Sequence, residues 1–346
     1  MRTIAVFLGA GFSKPWGLPL TKDLLPVKEE EWMQIIEEKF PRRYEKKCAR
    51  RVQASWLKYR KECQASVDQF AEKLQTDEQG AMDLFDDLAY FLAMQLAVDQ
   101  SKMRVFHMRP QFTERHFEMQ KKILPCYDVV MKELERDSLK GIVTTNYDLV
   151  VEKILSPDAT GRLGGFNYGR LGQPLHKHHH ELNTRLWYHR KTIDGAIPLL
   201  KLHGSLNWAL SKEEGIDLYV DCYPSLTQGY RSLIVPPRSN IPQYVVLNQI
   251  WQKASEVLSG ADVWVFCGYS FPPYDEDVRD LLKKSASNLR RVVILSPRAT
   301  ALEQNIRNIL NASVPEIEVK CGPGLGDELT PSKFRSLISG NDSESE

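Results

Sequence analysis

Four short motifs hold most of the chemistry this chain could do, and each follows an apolar run. Gly9-Ala10-Gly11-Phe12-Ser13 follows the first, at Thr3–Leu8. Thr144-Thr145-Asn146-Tyr147-Asp148 closes the second, at Gly141–Thr144. His203-Gly204-Ser205-Leu206-Asn207-Trp208 follows Pro198–Leu202, and Gly268-Tyr269-Ser270-Phe271, with Asp275 and Asp277 beyond it, follows Val263–Cys267. Gly9 and Gly11 allow a tight turn and close backbone approach, and Ser13 adds a hydroxyl donor. A helix starting there would aim N–H groups at an anion, as at phosphate sites; an ordinary strand-to-helix turn is the plainer alternative. Asn146 offers a donor and an acceptor to a hydroxyl or a water. Asp148 heads a helical pattern, where an N-cap is its simplest role. His203 can titrate near neutral pH and act as a base. Gly268 and Ser270 repeat the pairing of glycine with hydroxyl, and Ser296 sits in "LSPR" after a last apolar run, Val292–Leu295.

Those motifs need elements to carry them to one place. The apolar runs are short, continuous and partly β-branched, as in strands buried on both faces of a parallel sheet. Helical patterns follow most of them, which predicts an open α/β sheet with helices on both faces. Ligands in such sheets lie outside the carboxyl ends of the strands, where these motifs fall. Between the first two strands, Trp32–Phe40, Tyr44–Cys63, Met82–Val98 and Phe117–Glu135 show apolar residues at helical spacing. The expected division is a sheet domain over 1–27 and 139–323 and a helical insertion over 28–138. A loop-rich insertion over 156–197 lies near the cleft, and 324–346 forms a C-terminal helix with a disordered acidic tail.

Composition narrows the field further. The 346 residues are 42% hydrophobic, enough for a sizeable core, and a net charge of +1 gives no overall pull toward nucleic acid or anionic membranes. The six cysteines are scattered, without C-x-x-C pairs, so neither a zinc module nor a disulfide framework is expected. No signal segment or long apolar span is visible, which predicts a cytoplasmic chain without a membrane contact. The "HKHHH" run, His176–His180, reads as a solvated loop ahead of a metal site. Residues 39–61 carry ten Lys or Arg against Glu45 alone. A solvated face is the first reading and a nucleic-acid contact the second.

The four motifs, in this order, resemble the sirtuin superfamily. "GAGFS", "TTNYD", "KLHGSLNW" and "GYSFPPYD" are most similar to the sirtuin-like NADase domains of bacterial antiphage defence proteins. The resemblance covers about the first 25 residues and 140–323, not the helical insertion. The chain departs from the deacylase branch, having no cysteine pairs for a zinc module, Thr145 in place of Gln, and Leu20-Thr21 in place of Phe-Arg. It therefore implies a Rossmann-like fold that takes NAD+ as substrate, without a metal, and breaks its nicotinamide–ribose bond. Catalytic roles fall on Asn146, His203 and Asp148, with Asp148 contacting the nicotinamide carboxamide or capping its helix. NAD+ contacts fall on Gly9, Ala10, Gly11, Phe12, Ser13, Thr145, Gly268, Ser270 and Ser296. An antiphage effector of this kind depletes NAD+ and must be restrained. A homo-oligomer and a separate activator, a HerA-type ATPase or a short Argonaute, are thus expected. The rival reading is a non-catalytic module that binds NAD+ or ADP-ribose and signals that state; nucleic-acid processing through the basic stretch ranks below both.

Overall fold

The computed structural model describes residues 2–14, 18–63, 67–76, 81–102, 138–155, 166–168, 197–210, 216–218, 232–236, 245–273, 275–310, 313–314, 316–324 and 329–339. The strands are β1 (Thr3–Leu8), β2 (Ser138–Thr144), β3 (Phe166–Asn167), β4 (Ile197–Lys201), β5 (Gly204–Leu210), β6 (Ile216–Leu218), β7 (Ser232–Ile234), β8 (Val263–Cys267), β9 (Arg291–Leu295) and β10 (Glu318–Gly322). Seven of them form one sheet in the order β10-β9-β8-β1-β2-β4-β3. Every pairing in it is parallel. The fold is the α/β, Rossmann-like one expected. Its central strands carry continuous apolar stretches, buried over Ile4–Leu8 of β1 and over all five residues of β8, because helices cover both faces.

Three parts of the sheet architecture were not foreseen. β3, two residues paired with β4 at one sheet edge, falls inside the 156–197 stretch expected as a loop-rich insertion. β10 carries a polar-apolar alternation at the sheet edge and is only partly buried, so it presents no continuous apolar run. A second, antiparallel sheet, β6-β5-β7, starts directly after His203. Gly204 (φ +84) turns the chain there, and an added Cβ would lie 2.1 Å from the Leu233 carbonyl oxygen.

Helix α1 (Ala10–Ser13) is a single turn, and Thr21–Asp23 is a 3-10 turn. The helix expected at Trp32–Phe40 is α2 (Glu29–Lys39), which begins beyond Pro26. Then come α3 (Arg43–Tyr59), α4 (Val67–Thr76) and α5 (Ala81–Lys102). They enclose a core of their own, including Trp32, Ile36, Phe40, Val52, Trp56, Phe70 and Phe91. The indole N–H groups of Trp32 and Trp56 both donate to the Pro26 carbonyl, at 3.0 and 2.7 Å, tying the entry loop to this core. On α3, Cys48, Val52, Trp56 and Tyr59 form the apolar stripe. Several of its basic residues meet carboxylates. Lys46 pairs with Glu37, and Arg51 Nη2 lies 2.6 Å from buried Asp87. α5 is buried over 91–97 without interruption. The same core takes in Leu149, Leu206 and Ile234, so these helices pack against the chain beside Asp148 and His203.

The remaining helices are α6 (Val150–Leu155), α7 (Val245–Ser259), α8 (Glu276–Ser285), α9 (Ala299–Leu310) and α10 (Pro331–Ser339). Among the described residues no helix is long and apolar enough to cross a membrane. The helix expected at Phe117–Glu135, the His176–His180 run, most of the 156–197 insertion and the 340–346 tail lie outside the described residues.

Candidate active site at the strand ends

Parallel pairing sets the strand ends level. Leu8 is paired with Thr144 and Cys267, Thr144 with Lys201, Cys267 with Leu295, and Leu295 with Gly322. Each motif thus leaves the sheet along one edge. β1 is the switch point, with β2 and β4 on one side and β8, β9 and β10 on the other. Crevices in open sheets form at such points.

The glycines there allow a close backbone approach, to the opposite turn. A Cβ on Gly9 would lie 2.7 Å from the Gly268 carbonyl oxygen, and one on Gly11 2.9 Å from Gly268 Cα. Gly268 has φ +67, and its Cβ would fall 2.2 Å from the Phe12 nitrogen. The space left by the missing side chains is filled by the opposite turn. Gly9 N–H donates to the Cys267 carbonyl (3.1 Å), Gly11 N–H to that of Gly268 (3.0 Å) and Phe12 N–H to that of Gly9 (2.8 Å). These N–H groups are thus taken up within the protein. With α1 only one turn long, an extended helix aimed at an anion is absent from this motif.

Asn146 and Ser13 are buried at the next strand end. Asn146 Nδ2 donates to the Gly9 carbonyl (3.0 Å) and to Ser13 Oγ (3.1 Å). Both amide hydrogens are engaged, so Asn146 can offer a ligand only its carbonyl oxygen, a correction to the donor-acceptor role read from sequence. Ser13 in turn hydrogen-bonds Asp148. Its hydroxyl therefore ties two loops together. Asp148 Oδ1 accepts from Val150 N–H at 2.9 Å, the capping arrangement for α6. Burial pushes the Asp148 carboxyl up; Lys201, then the Val150 and Ser13 hydrogen bonds, pull it down.

Lys201, at the end of β4, is fully buried. Its Nζ lies 2.8 Å from Glu152 Oε1 on α6, and it donates to the carbonyls of Tyr147 (3.3 Å) and Asp148. The Tyr168 hydroxyl donates to the same Glu152 oxygen (3.0 Å). Asn207 Nδ2 donates to Tyr168 Oη (3.0 Å), and Ser205 Oγ donates to Asn207 Oδ1 (2.6 Å). This chain of bonds holds the 146–148 turn against the 203–207 segment.

His203 is only 3% exposed. Its ring meets Trp251 of α7 edge-on, with centroids 5.9 Å apart. Nε2 is buried without a hydrogen-bond partner and lies 3.9 Å from Asp275 Oδ1. The other Asp275 oxygen accepts from the Tyr269 hydroxyl at 2.7 Å. Burial drives the His203 pKa down to about 4, against a hydrogen bond to the Val235 backbone. Burial raises Asp275 to about 6, opposed by the Tyr269 hydroxyl and the Val278 backbone. At neutral pH the imidazole is therefore neutral and the carboxyl largely ionised.

The remaining predicted positions are spread along the same edge. Ala10, Thr145 and Gly268 are half-buried, Phe12 is in the core, and Ser270 is exposed. Ser296 Oγ accepts from Arg298 N–H (3.1 Å) at the start of α9. Ser270, Phe271, Pro273, Arg298, Leu302 and Asn305 line a surface cavity of about 380 Å³ outside β8 and β9. Asn146, Asp148 and His203 do not line it.

The sequence pattern of the SIR2-like domain matches residues 140–313. The chain belongs to the SIR2-like domain family. No curated protein matches it. Similar solved structures include a Sir2 homolog–NAD complex, at 16% identity, covering 98% of this chain and 90% of that one, with a TM-score of 0.45. A mutant Sir2 homologue with 2′-O-acetyl ADP ribose is 15% identical, covering 99% and 95%, with a TM-score of 0.46. Sir2Tm bound to a propionylated peptide is 12% identical, covering 99% and 94%, with a TM-score of 0.38. The family match starts at Lys140 and so leaves out the Gly9–Ser13 turn, which β1 nonetheless inserts between β2 and β8 of the SIR2-like sheet.

Sequence reasoning passed over Lys201, Glu152 and Tyr269, and gave Asp275 no role. One signal was available: a lone lysine inside the "PLLKL" run of a doubly covered strand requires a buried partner. Nothing in the sequence names Glu152 as that partner, because the pairing depends on how α6 packs.

Proposed function

We propose that this SIR2-like domain is an NAD+ glycohydrolase, cleaving the nicotinamide–ribose bond to give nicotinamide and ADP-ribose. The observation that carries the reading is the unpartnered Nε2 of His203 at the strand-end edge of a SIR2-like sheet. The dinucleotide would lie along that edge, its pyrophosphate over the turns at Gly9–Ser13 and Gly268–Ser270. Its adenosine would lie toward Ser296 and Arg298. As the C1′–N bond breaks, its electron pair leaves with the ring and neutralises the nicotinamide cation, while the ribose gains oxocarbenium character. A water then adds its oxygen to C1′, and its proton passes to His203 Nε2. Asn146 Oδ1 would accept from that water or from a ribose hydroxyl. Asp148 would act through Ser13 and α6, holding Asn146 in place.

The role we infer is depletion of NAD+ in antiphage defence by an oligomer that a separate protein, such as a HerA-type ATPase or a short Argonaute, switches on. The burial of His203 supports a restrained resting state. Full activity of an isolated monomer would rule out that restraint.

The test is nicotinamide release from NAD+ by purified wild type, Asn146→Ala and His203→Ala, followed by mass spectrometry with and without the partner. Each substitution should lower turnover roughly 10²–10⁴-fold. If both keep wild-type turnover where the wild type is active, the assignment is wrong. The engaged Asn146 donors and shielded His203 favour one second reading, an NAD+- or ADP-ribose-binding module without turnover. Calorimetric NAD+ binding with no nicotinamide released, even beside the partner, would select it.

A further inference from the structure

Asp275 stands immediately before α8 and is 4% exposed, and His203 is 3% exposed across from it. The two come from different sides of β1, on segments following β8 and β4. Their facing atoms, Oδ1 and Nε2, are 3.9 Å apart, and Nε2 has no other partner. The second carboxylate oxygen is fixed by Tyr269. The backbone helps aim this segment. Phe271 holds a left-handed φ of +52 with its ring buried among Phe266 and Tyr269. A left-handed phenylalanine is unfavourable and persists only where its surroundings fix it.

We infer that Asp275 is the positioning residue for His203, orienting the imidazole and stabilising the proton that Nε2 takes up during cleavage. The inference rests on the glycohydrolase reading. A buried imidazole without a nearby negative charge is a poor proton acceptor, because the charged form has lost its water. A carboxylate within 4–6 Å favours the charged imidazole and so opposes the effect of burial. The proton leaves the attacking water, resides on Nε2 beside Oδ1, and is later released to solvent, so charge balances without a further reactant. Three other ionisable groups of the surrounding elements have their own partners. Lys201 on β4 is bound to Glu152, Asp148 after β2 to Val150, and Lys253 on α7 to Glu256. Asp277 follows Asp275 by two residues at the start of α8.

The test is Asp275→Asn in the full chain, read in two ways. In steady-state NAD+ cleavage, kcat should fall roughly tenfold or more at pH 7 with KM changed less than about threefold, the pattern of an interaction made in the transition state. The wild-type rate should rise with pH as the pair ionises, near the Asp275 value of about 6. That limb should vanish in Asp275→Asn. Independently of turnover, the NMR shifts of the His203 ring should show the same step in the wild type and lose it in the variant. Tyr269→Phe is the second variant. It removes a bond that holds Asp275 acidic, so both limbs should move to higher pH. Unchanged His203 titration in Asp275→Asn overturns the inference. If that variant does not fold, unchanged limbs in Tyr269→Phe overturn it. If the wild type releases no nicotinamide, the glycohydrolase reading fails, while the NMR titration still reports on the pair.

Discussion

Removing Lys201 should damage this protein in a pH-dependent way. Lys201 and Glu152 are 1% and 0% exposed at their side chains, with Nζ and Oε1 2.8 Å apart. At an effective dielectric of about 20, two unit charges at that distance attract by about 6 kcal/mol. Several kcal/mol of desolvation per ion offsets much of this, so the pair itself adds little net stability. Breaking it is another matter. Lys201→Met fills similar volume but leaves the Glu152 carboxylate buried without a cation, a cost of about 3–5 kcal/mol. Glu152 is already pushed up by burial and held down chiefly by Lys201, so the substitution raises its folded-state pKa further. An acid with a raised folded pKa favours folding below its unfolded value of about 4.3 and loses that contribution as pH climbs through the folded value. The deficit against wild type should therefore be small near pH 5 and widen toward pH 8. Urea unfolding at a series of pH values measures it. At pH 7 the midpoint should drop by about 1 M or more. Lys201→Met/Glu152→Gln should recover most of the loss, since glutamine is neutral and still accepts from the Tyr168 hydroxyl. A single variant that loses less than about 1 kcal/mol at pH 7, or a double no better than the single, would refute the reasoning.

Two further substitutions probe the scaffold. Gly268→Ala combines a left-handed backbone with a Cβ 2.2 Å from the Phe12 nitrogen. Conformation alone costs about 1–2 kcal/mol, and relieving the overlap must part the two turns. A Tm drop by scanning fluorimetry together with loss of nicotinamide release is expected; a wild-type Tm would show that the turns do not interlock. Arg51→Met leaves the Asp87 carboxylate, 0% exposed, without its cation 2.6 Å away. Because Arg51 is half exposed, solvent screens the pair, and the expected loss is about 1–3 kcal/mol in urea unfolding. A change within about 0.5 kcal/mol, typical of a surface site, would place Asp87 in no need of Arg51.

The sheet was legible because doubly covered strands leave an unmistakable mark. β1, β8 and β9 are continuous apolar runs, and a parallel sheet of such runs places its loops on one edge. β10 and β5 escaped that rule. One is an edge strand with polar positions, and the other buries Ser205 and Asn207 in a hydrogen-bond chain. Residue types at the site were legible too, since a histidine, an asparagine and glycines after strands are conspicuous. Their partners were not. Asn146 meets Ser13 across 133 positions, and nothing local to "TTNYD" indicates that its amide hydrogens are engaged there.

That difference changes what the glycine turn is for. Gly-Ala-Gly after a strand suggests a backbone opened for a ligand, yet both glycines open onto Gly268. Had Gly9 or Gly11 carried a side chain, the first casualty would be the contact between the ends of β1 and β8. Asn146 donates to Gly9 O and Ser13 Oγ, and His203 faces Asp275 seven residues beyond Gly268. The interlocked turns therefore hold the asparagine and the histidine in one frame, with the β1 turn bound to Asn146 and the β8 turn leading to the carboxylate that faces His203. On the glycohydrolase proposal, the glycines would set the spacing of these groups, so substitutions at Gly9 and Gly268 should share a kinetic signature even though they follow different strands.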